Sequence, residues 1–227
     1  MFIPLRDDNP TSRFPLVTVA LIAVNTAVFL FQAVTPHGLE LAAVRFGAVP
    51  YAVTHFRSLP GAAAFPPLLT LLTSMFLHGS LFHLLGNMLY LWIFGNNIED
   101  RLGPVRFVLF YLVCGLAASL THVLFEPASR VPMIGASGAI AGVLGAYALL
   151  YPRARVRTLV FLVFYIDVVA IPAGLILGLW FLLQILNVGM GGGVAWFAHI
   201  GGFLAGLVFI ALALGREIRR RAGTARI

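Results

Sequence analysis

The sequence predicts an all-α, polytopic membrane protein, a bundle of six transmembrane helices with short polar ends. Three observations predict it. Of the 227 residues, 60% are apolar and only 10% are charged, against about a quarter charged in a soluble domain. Mean hydropathy is +0.98. The apolar residues also fall into runs of about 20, the length a helix needs to cross a hydrocarbon core of ~30 Å. Six such runs take about 120 residues and leave room for loops and tails, but not for a large second domain. A water-soluble globule and a disordered chain are excluded on composition, and the single cysteine, Cys114, excludes an internal disulfide framework.

The elements follow in order. Residues 1–13 are a short polar N-tail carrying Arg6, Asp7, Asp8 and Arg13, expected on the cytoplasmic side. The apolar run 14–34 is too long for the core of a cleavable signal peptide and has no small-residue cleavage site after it, so it reads as span one. Residues 35–75 form a long mixed loop punctuated by Pro36, Pro50, Pro60, Pro66 and Pro67, with aromatics and few charges, as suits a segment resting in the membrane interface. Span two covers 76–96 and span three 104–125, followed by a loop with Glu126, Pro127 and Arg130. Span four, 133–151, is closed by Arg153, Arg155 and Arg157. Residues 158–170 are apolar but hold Asp167, and Pro172 opens the cleaner run 171–187, read as span five. A glycine-rich loop, Gly189 to Gly193, leads into span six at 195–214. The membrane domain is thus 14–215, and 216–227 is a basic cytoplasmic C-tail with Arg216, Arg219, Arg220, Arg221 and Arg226.

All fifteen basic residues are arginine, and the net charge is +7. They cluster at the ends of apolar runs rather than along a stripe interleaved with exposed aromatics, which argues against nucleic-acid binding. With the N-terminus in the cytoplasm, twelve arginines lie inside and only Arg45, Arg57 and Arg130 outside. That asymmetry sets an even number of spans with both termini cytoplasmic. The expected location is a bacterial cell (inner) membrane.

In this topology spans two, four and six run the same way, and their N-terminal portions share the outer half of the bilayer. The unusual polar residues lie there: His78, His83 and Asn87 in span two, Ser137 in span four, His199 in span six. Ser137 and His199 would each sit about 6–8 Å inside the start of their helices. Polar groups at such depth face a bundle interior or a wet cavity.

A hydroxyl nucleophile needs a base for its proton and donors for the oxyanion that forms. His83 and Asn87 are spaced i, i+4 and share a helix face, so both can donate to an oxyanion alongside the backbone N–H of Ser137. His199 is then the better placed base. Glycines explain how the two helices could meet. Gly135 and Gly138 flank Ser137, Gly142 follows at the small-residue interval, and Gly202 and Gly206 repeat it after His199. Small residues four apart let membrane helices approach closely. Of the eight acidic residues only Glu40 and Glu126 fall outside, both in loops. The expectation is a Ser–His dyad without a carboxylate.

With these residues in view, the chain resembles the rhomboid intramembrane serine proteases across all six spans. The motifs that carry the resemblance are Gly135-Ala136-Ser137-Gly138, His199 with Gly202 and Gly206, His78 with His83 and Asn87, and Glu99-Asp100-Arg101-Leu102-Gly103 at the inner end of span two. The resemblance implies a six-span fold and a serine endopeptidase with Ser137 as nucleophile and His199 as general base. It also implies that His83 and Asn87 support the oxyanion. Substrates would be transmembrane proteins cut in or near the bilayer, with no metal or organic cofactor. The Gly189–Gly193 loop would correspond to a mobile cap. Glu99, Arg101 and Gly103 are expected to be structural, tying the inner loop together. Two positions depart from the family pattern. A tyrosine that stacks on the histidine in some members is Ala141 here, which leaves Trp196 or Phe197 to orient His199. A first-loop Trp-Arg pair is Leu69-Thr70.

Plainer readings compete at each position. A lone serine in an apolar helix usually bonds the preceding turn, and a lone membrane histidine usually ties helices. The combination on three helices at matched depth carries the dyad. His78 with His83 could suggest zinc, but i, i+5 spacing puts them on different helix faces and no third ligand is evident. An inactive relative that binds membrane segments would typically lack the serine or the histidine. A small transporter would show opposed charges at mid-membrane, where the sequence offers only Asp167.

Overall fold

The computed structural model describes residues 2–57, 65–162, 164–190 and 193–224. Pro60, Gly191, Gly192 and Arg226 of the sequence reading lie outside the described residues. Helices form most of the molecule: α1 (Leu16–Val34), α2 (Gly38–Phe46), α3 (Pro50–His55), α4 (Pro67–Thr73), α5 (Leu81–Tyr90), α6 (Asn96–Leu102), α7 (Pro104–Phe125), α8 (Ser137–Leu150), α9 (Ala173–Leu186) and α10 (Trp196–Thr224). A π-helical stretch, Leu91–Gly95, joins α5 to α6.

Local sequence sets the boundaries. Pro50, Pro67 and Pro104 open α3, α4 and α7, where the missing N–H would be unpaired anyway. Ser80 caps α5, its Oγ accepting from His83 N at 3.1 Å. Gly103 alone separates α6 from α7 and has φ +78, a conformation that glycine adopts without the Cβ penalty.

Among the described residues three helices are long and apolar enough to cross a membrane: Leu16–Val34, Pro104–Phe125 and Trp196–Gly215. Pro67–Phe76 and Leu81–Leu102, bent by 79°, make a fourth if they are taken as one span. The apolar helices α8 and α9 have only 14 residues each, about 21 Å of rise. The expected spans four and five are therefore helices at the expected places but shorter than a bilayer core. For α8 the reason is visible. Ten consecutive residues, Gly138–Tyr147, are buried, and the helix packs chiefly against α10 and α7. Protein rather than lipid surrounds it, which relaxes the length requirement. The outward faces of the long helices are apolar instead, with Phe31, Val34, Val105, Leu124 and Leu212 exposed.

The all-α expectation needs correcting. A three-stranded antiparallel sheet, order β1-β2-β3, is built from β1 (Phe2–Asp7), β2 (Arg155–Leu162) and β3 (Tyr165–Pro172). β1 runs beside β2 from Phe2↔Val160 to Asp7↔Val156. The expected polar tail 1–13 is thus largely a strand. In β2 the side chains alternate: Val156, Thr158 and Val160 are buried while Arg155, Arg157 and Phe161 are exposed, the period-2 pattern of a half-buried strand. Asp167 lies in β3 opposite Val160. The expected loop 35–75 contains α2, α3 and α4, and the expected C-tail continues α10 as helix to Thr224.

Two ends of the bundle result. The sheet end gathers the sheet, the start of α1, the α6–α7 junction and the end of α8. The opposite end gathers α2, α3 and the segment 126–136 that leads to α8. There Ala48 and Met133 exchange backbone hydrogen bonds of 3.0 and 2.8 Å, and Tyr51 N donates to Ser129 O at 2.9 Å. The first-loop helices thereby pin the approach to Ser137.

Candidate active site

Ser137 is the first residue of α8, not one turn inside it as expected. The residues before it are held outside the helix by the Ala48–Met133 pairing and by Gly135, whose N–H donates to Ser74 O at 2.9 Å with φ +123. At a helix start, the Ser137 N–H has no intrahelical partner and is available as a donor. His199 sits one turn into α10. Its Nε2 lies 2.9 Å from Ser137 Oγ.

Glycines bring these two helices together. A Cβ on Gly202 would overlap the carbonyl oxygen of Gly138, and one on Gly206 the carbonyl oxygen of Gly142. On the other flank, a Cβ on Gly138 would stand 2.6 Å from Ala118 Cβ. Backbones approach here at distances that only glycine allows. Gly135 serves differently: a Cβ there would lie 2.7 Å from His83 Nε2 and 3.7 Å from Ser137 Oγ, so its bareness admits the imidazole of His83 beside the serine.

His83 and Asn87 project from α5 into a cavity of about 640 Å³ that Ser137, Ser119, Trp180 and His199 also line. Asn87 is 8% exposed and its Nδ2 has no hydrogen-bond partner, a donor held without an acceptor. The His78 ring is fully buried, and neither of its nitrogens is paired. The different-faces argument for His78 and His83 does not hold, because α5 begins only at Leu81. The rings are T-shaped neighbours with centroids 5.0 Å apart. Among the described residues no group of three metal-ligating side chains occurs.

The surroundings of His199 differ from expectation. Phe197 stacks on Phe125 instead, at 4.6 Å, and Trp196 stands edge-on to the imidazole at 6.2 Å. Trp180 lies on another side at 5.8 Å. The contact that the sequence reading missed is Gln184 of α9, whose Oε1 is 2.8 Å from His199 Nδ1. The available signal was a solitary glutamine in an apolar span that runs opposite to spans four and six, so that its far end reaches the same half of the bilayer.

At the sheet end Glu99 does more than hold the inner loop. Its carboxylate caps α1, accepting from Val17 N at 2.8 Å, Thr18 N at 2.7 Å and Thr18 Oγ1 at 2.8 Å. Arg101 lies in the last turn of α6, and Gly103 N donates to Glu99 O at 2.8 Å.

Fold and site together define a polytopic helical membrane protein with a hydroxyl–imidazole pair set beside an internal cavity. The chain belongs to the rhomboid family: the family model described as the rhomboid domain matches residues 67–216. It is 30% identical over 165 residues to Rhomboid protein 1, mitochondrial, of Saccharomyces cerevisiae, covering 67% of this chain and 45% of that one. It is 37% identical over 145 residues to Rhomboid protease GluP of Bacillus subtilis, covering 64% and 26%. RHOMBOID-like protein 1 of Arabidopsis thaliana is 37% identical over 139 residues, covering 61% and 32%. The chain thus spans less than half the length of these relatives.

Proposed function

We propose that the protein is an intramembrane serine endopeptidase, cutting transmembrane protein substrates in or near the bilayer by a Ser137–His199 dyad. The observation that carries the reading is the 2.9 Å approach of His199 Nε2 to Ser137 Oγ across two helices packed glycine to glycine. Family membership supports it, since rhomboids are generally intramembrane serine proteases.

Ser137 Oγ attacks the scissile carbonyl while His199 Nε2 takes its proton. The oxyanion is met by Asn87 Nδ2, His83 and the Ser137 N–H. His199 then returns the proton to the leaving amine, and water, activated by the same imidazole, clears the acyl-enzyme. The cavity supplies room for water beside the pair, which a dyad in dry lipid would lack.

The proposed topology has six spans in a bacterial cell membrane, with both termini cytoplasmic. Arginine placement supports it. Arg6, Arg13, Arg101, Arg106, Arg153, Arg155 and Arg157 lie at the sheet end, and Arg45, Arg57 and Arg130 at the other. The cavity therefore opens toward the non-cytoplasmic half.

The test is cleavage of a single-span protein in proteoliposomes. Wild type cuts it, and Ser137→Ala and His199→Ala do not. Undiminished cleavage by Ser137→Ala would sink the mechanism.

A further inference from the structure

The geometry points to Gln184 as the positioning residue that holds His199 in the tautomer a general base needs, so that the dyad operates with a neutral third member. The inference rests on the peptidase reading above. Three observations carry it. First, Gln184 Oε1 lies 2.8 Å from His199 Nδ1, on the ring edge opposite the 2.9 Å contact to Ser137 Oγ. Second, the orientation of the amide is fixed by chemistry: its Nε2 lies 2.9 Å from Trp180 O. A backbone carbonyl can only accept, so the amide nitrogen must face it and the amide oxygen must face the ring. An oxygen at that position accepts from Nδ1–H, which leaves the lone pair on Nε2, directed at the serine hydroxyl. Third, Gln184 is placed for this contact and for little else. It is 6% exposed on a helix whose only other buried residues are Ala173 and Leu177, and it stands i, i+4 from Trp180, whose ring flanks the same imidazole.

The competing role is helix glue, since buried glutamines commonly tie membrane helices. Glue would change stability and leave the tautomer alone. The two roles also differ from the work of a triad carboxylate: a neutral amide orients the ring without offering a full charge to the imidazolium. Removing the group that fixes the tautomer costs a serine protease up to about 10⁴-fold when that group is a carboxylate. For the amide we expect a smaller loss, about 10²-fold in kcat, within the span of general-base contributions.

The experiment uses the full chain in detergent or proteoliposomes with a fluorogenic transmembrane peptide, comparing wild type, Gln184→Met and Gln184→Glu. Methionine keeps volume without an acceptor, and glutamate keeps an oxygen facing Nδ1. Expected for Gln184→Met are the kcat loss given above, counted per folded molecule, and an unchanged KM; the lost bonds of Gln184 lower the thermal midpoint under either role, so kcat and the tautomer decide. Gln184→Glu recovers most of kcat. In parallel, ¹⁵N shifts of His199 report the tautomer: proton on Nδ1 in wild type, a mixture in Gln184→Met. Wild-type kcat in Gln184→Met, no recovery in Gln184→Glu, or a wild-type proton on Nε2 would each overturn the assignment. If Gln184→Met does not fold, the wild-type ¹⁵N measurement decides. A wild type that cuts no substrate would instead remove the peptidase reading, while the ¹⁵N measurement still reports on Gln184.

Discussion

The bundle carries a buried polar cluster at each end, and the two are finished differently. At the sheet end the acceptors and donors are matched. Asn97 Nδ2 donates to Asp7 Oδ2 at 2.8 Å, Tyr147 OH to the same oxygen at 2.5 Å, and Asn9 Nδ2 to Asn97 Oδ1 at 2.6 Å. Glu99, 4% exposed, caps α1, and at the exposed rim Asp100 accepts from Ser12 N and Oγ. At the cavity end, Gln32 Nε2, Asn87 Nδ2 and both nitrogens of His78 have no partner. Buried polar groups are paired in the great majority of cases, and an unpaired one costs about 1–3 kcal/mol. The two ends thus differ in how fully their buried polar groups are paired within the protein. The closed cluster fastens the strand β1 and α1 to the bundle; of the unpaired groups at the other end only Asn87 lines the cavity, and under the proposed function its Nδ2 is kept for a substrate oxyanion.

The sharpest way to break this comparison is to remove a donor from the open cluster. Asn87→Ala should lower kcat by about 10²–10³, the cost of one oxyanion donor, with a thermal midpoint no lower than wild type, because no protein contact of Nδ2 is lost. A falling midpoint with unchanged kcat would move Asn87 into the structural class. The converse change is Glu99→Ala, which strips three hydrogen bonds to a charged acceptor. It should destabilise by about 2–3 kcal/mol, read as a lower thermal midpoint in detergent, while kcat per folded molecule stays near wild type. Retained stability would mean that the α1 cap is dispensable.

How much of each cluster the sequence revealed follows from periodicity. Ser137, His199, His83 and Asn87 stand out because each interrupts an apolar run, and the glycine spacing that joins α8 to α10 is local to each helix. Gln184 interrupts a run equally, but its role depends on α9 turning that residue toward His199, a tertiary fact. The sheet was missed because Arg155 and Arg157 read as a charge signal, and the alternation they form with Val156 and Thr158 is short. Phe2–Asp7 pairs with residues about 150 positions away, a partner that no window of sequence contains. The depth of Ser137 was misjudged for a related reason: Met133 and Ile134 are apolar enough to continue a helix, and only the backbone pairing to Ala48 draws them out of it.

The smallest expected effect tests whether the closed cluster is as settled as its bonding suggests. Burial, the largest influence on Asp7, pushes its carboxyl above the usual value, and neighbouring Asp8 adds to this. The hydrogen bonds from Tyr147, its own backbone and Asn97 offset it only in part. A carboxyl raised in the folded state contributes stability that is present below the unfolded value of 3.8 and is lost as pH rises through the folded value. Once ionised, the Asp7 carboxylate is therefore less favourable in its folded place than in the unfolded chain, and its hydrogen-bond partners offset part of that cost. Asp7→Asn removes the titration while keeping a side-chain oxygen for Tyr147. The thermal-midpoint difference between wild type and Asp7→Asn should move in favour of wild type as pH falls from 7 toward 4, by at most a few degrees. A difference that moves the other way would mean that the bonds from Tyr147 and Asn97 outweigh burial, and that the charged carboxylate is itself part of what fastens β1 to α8.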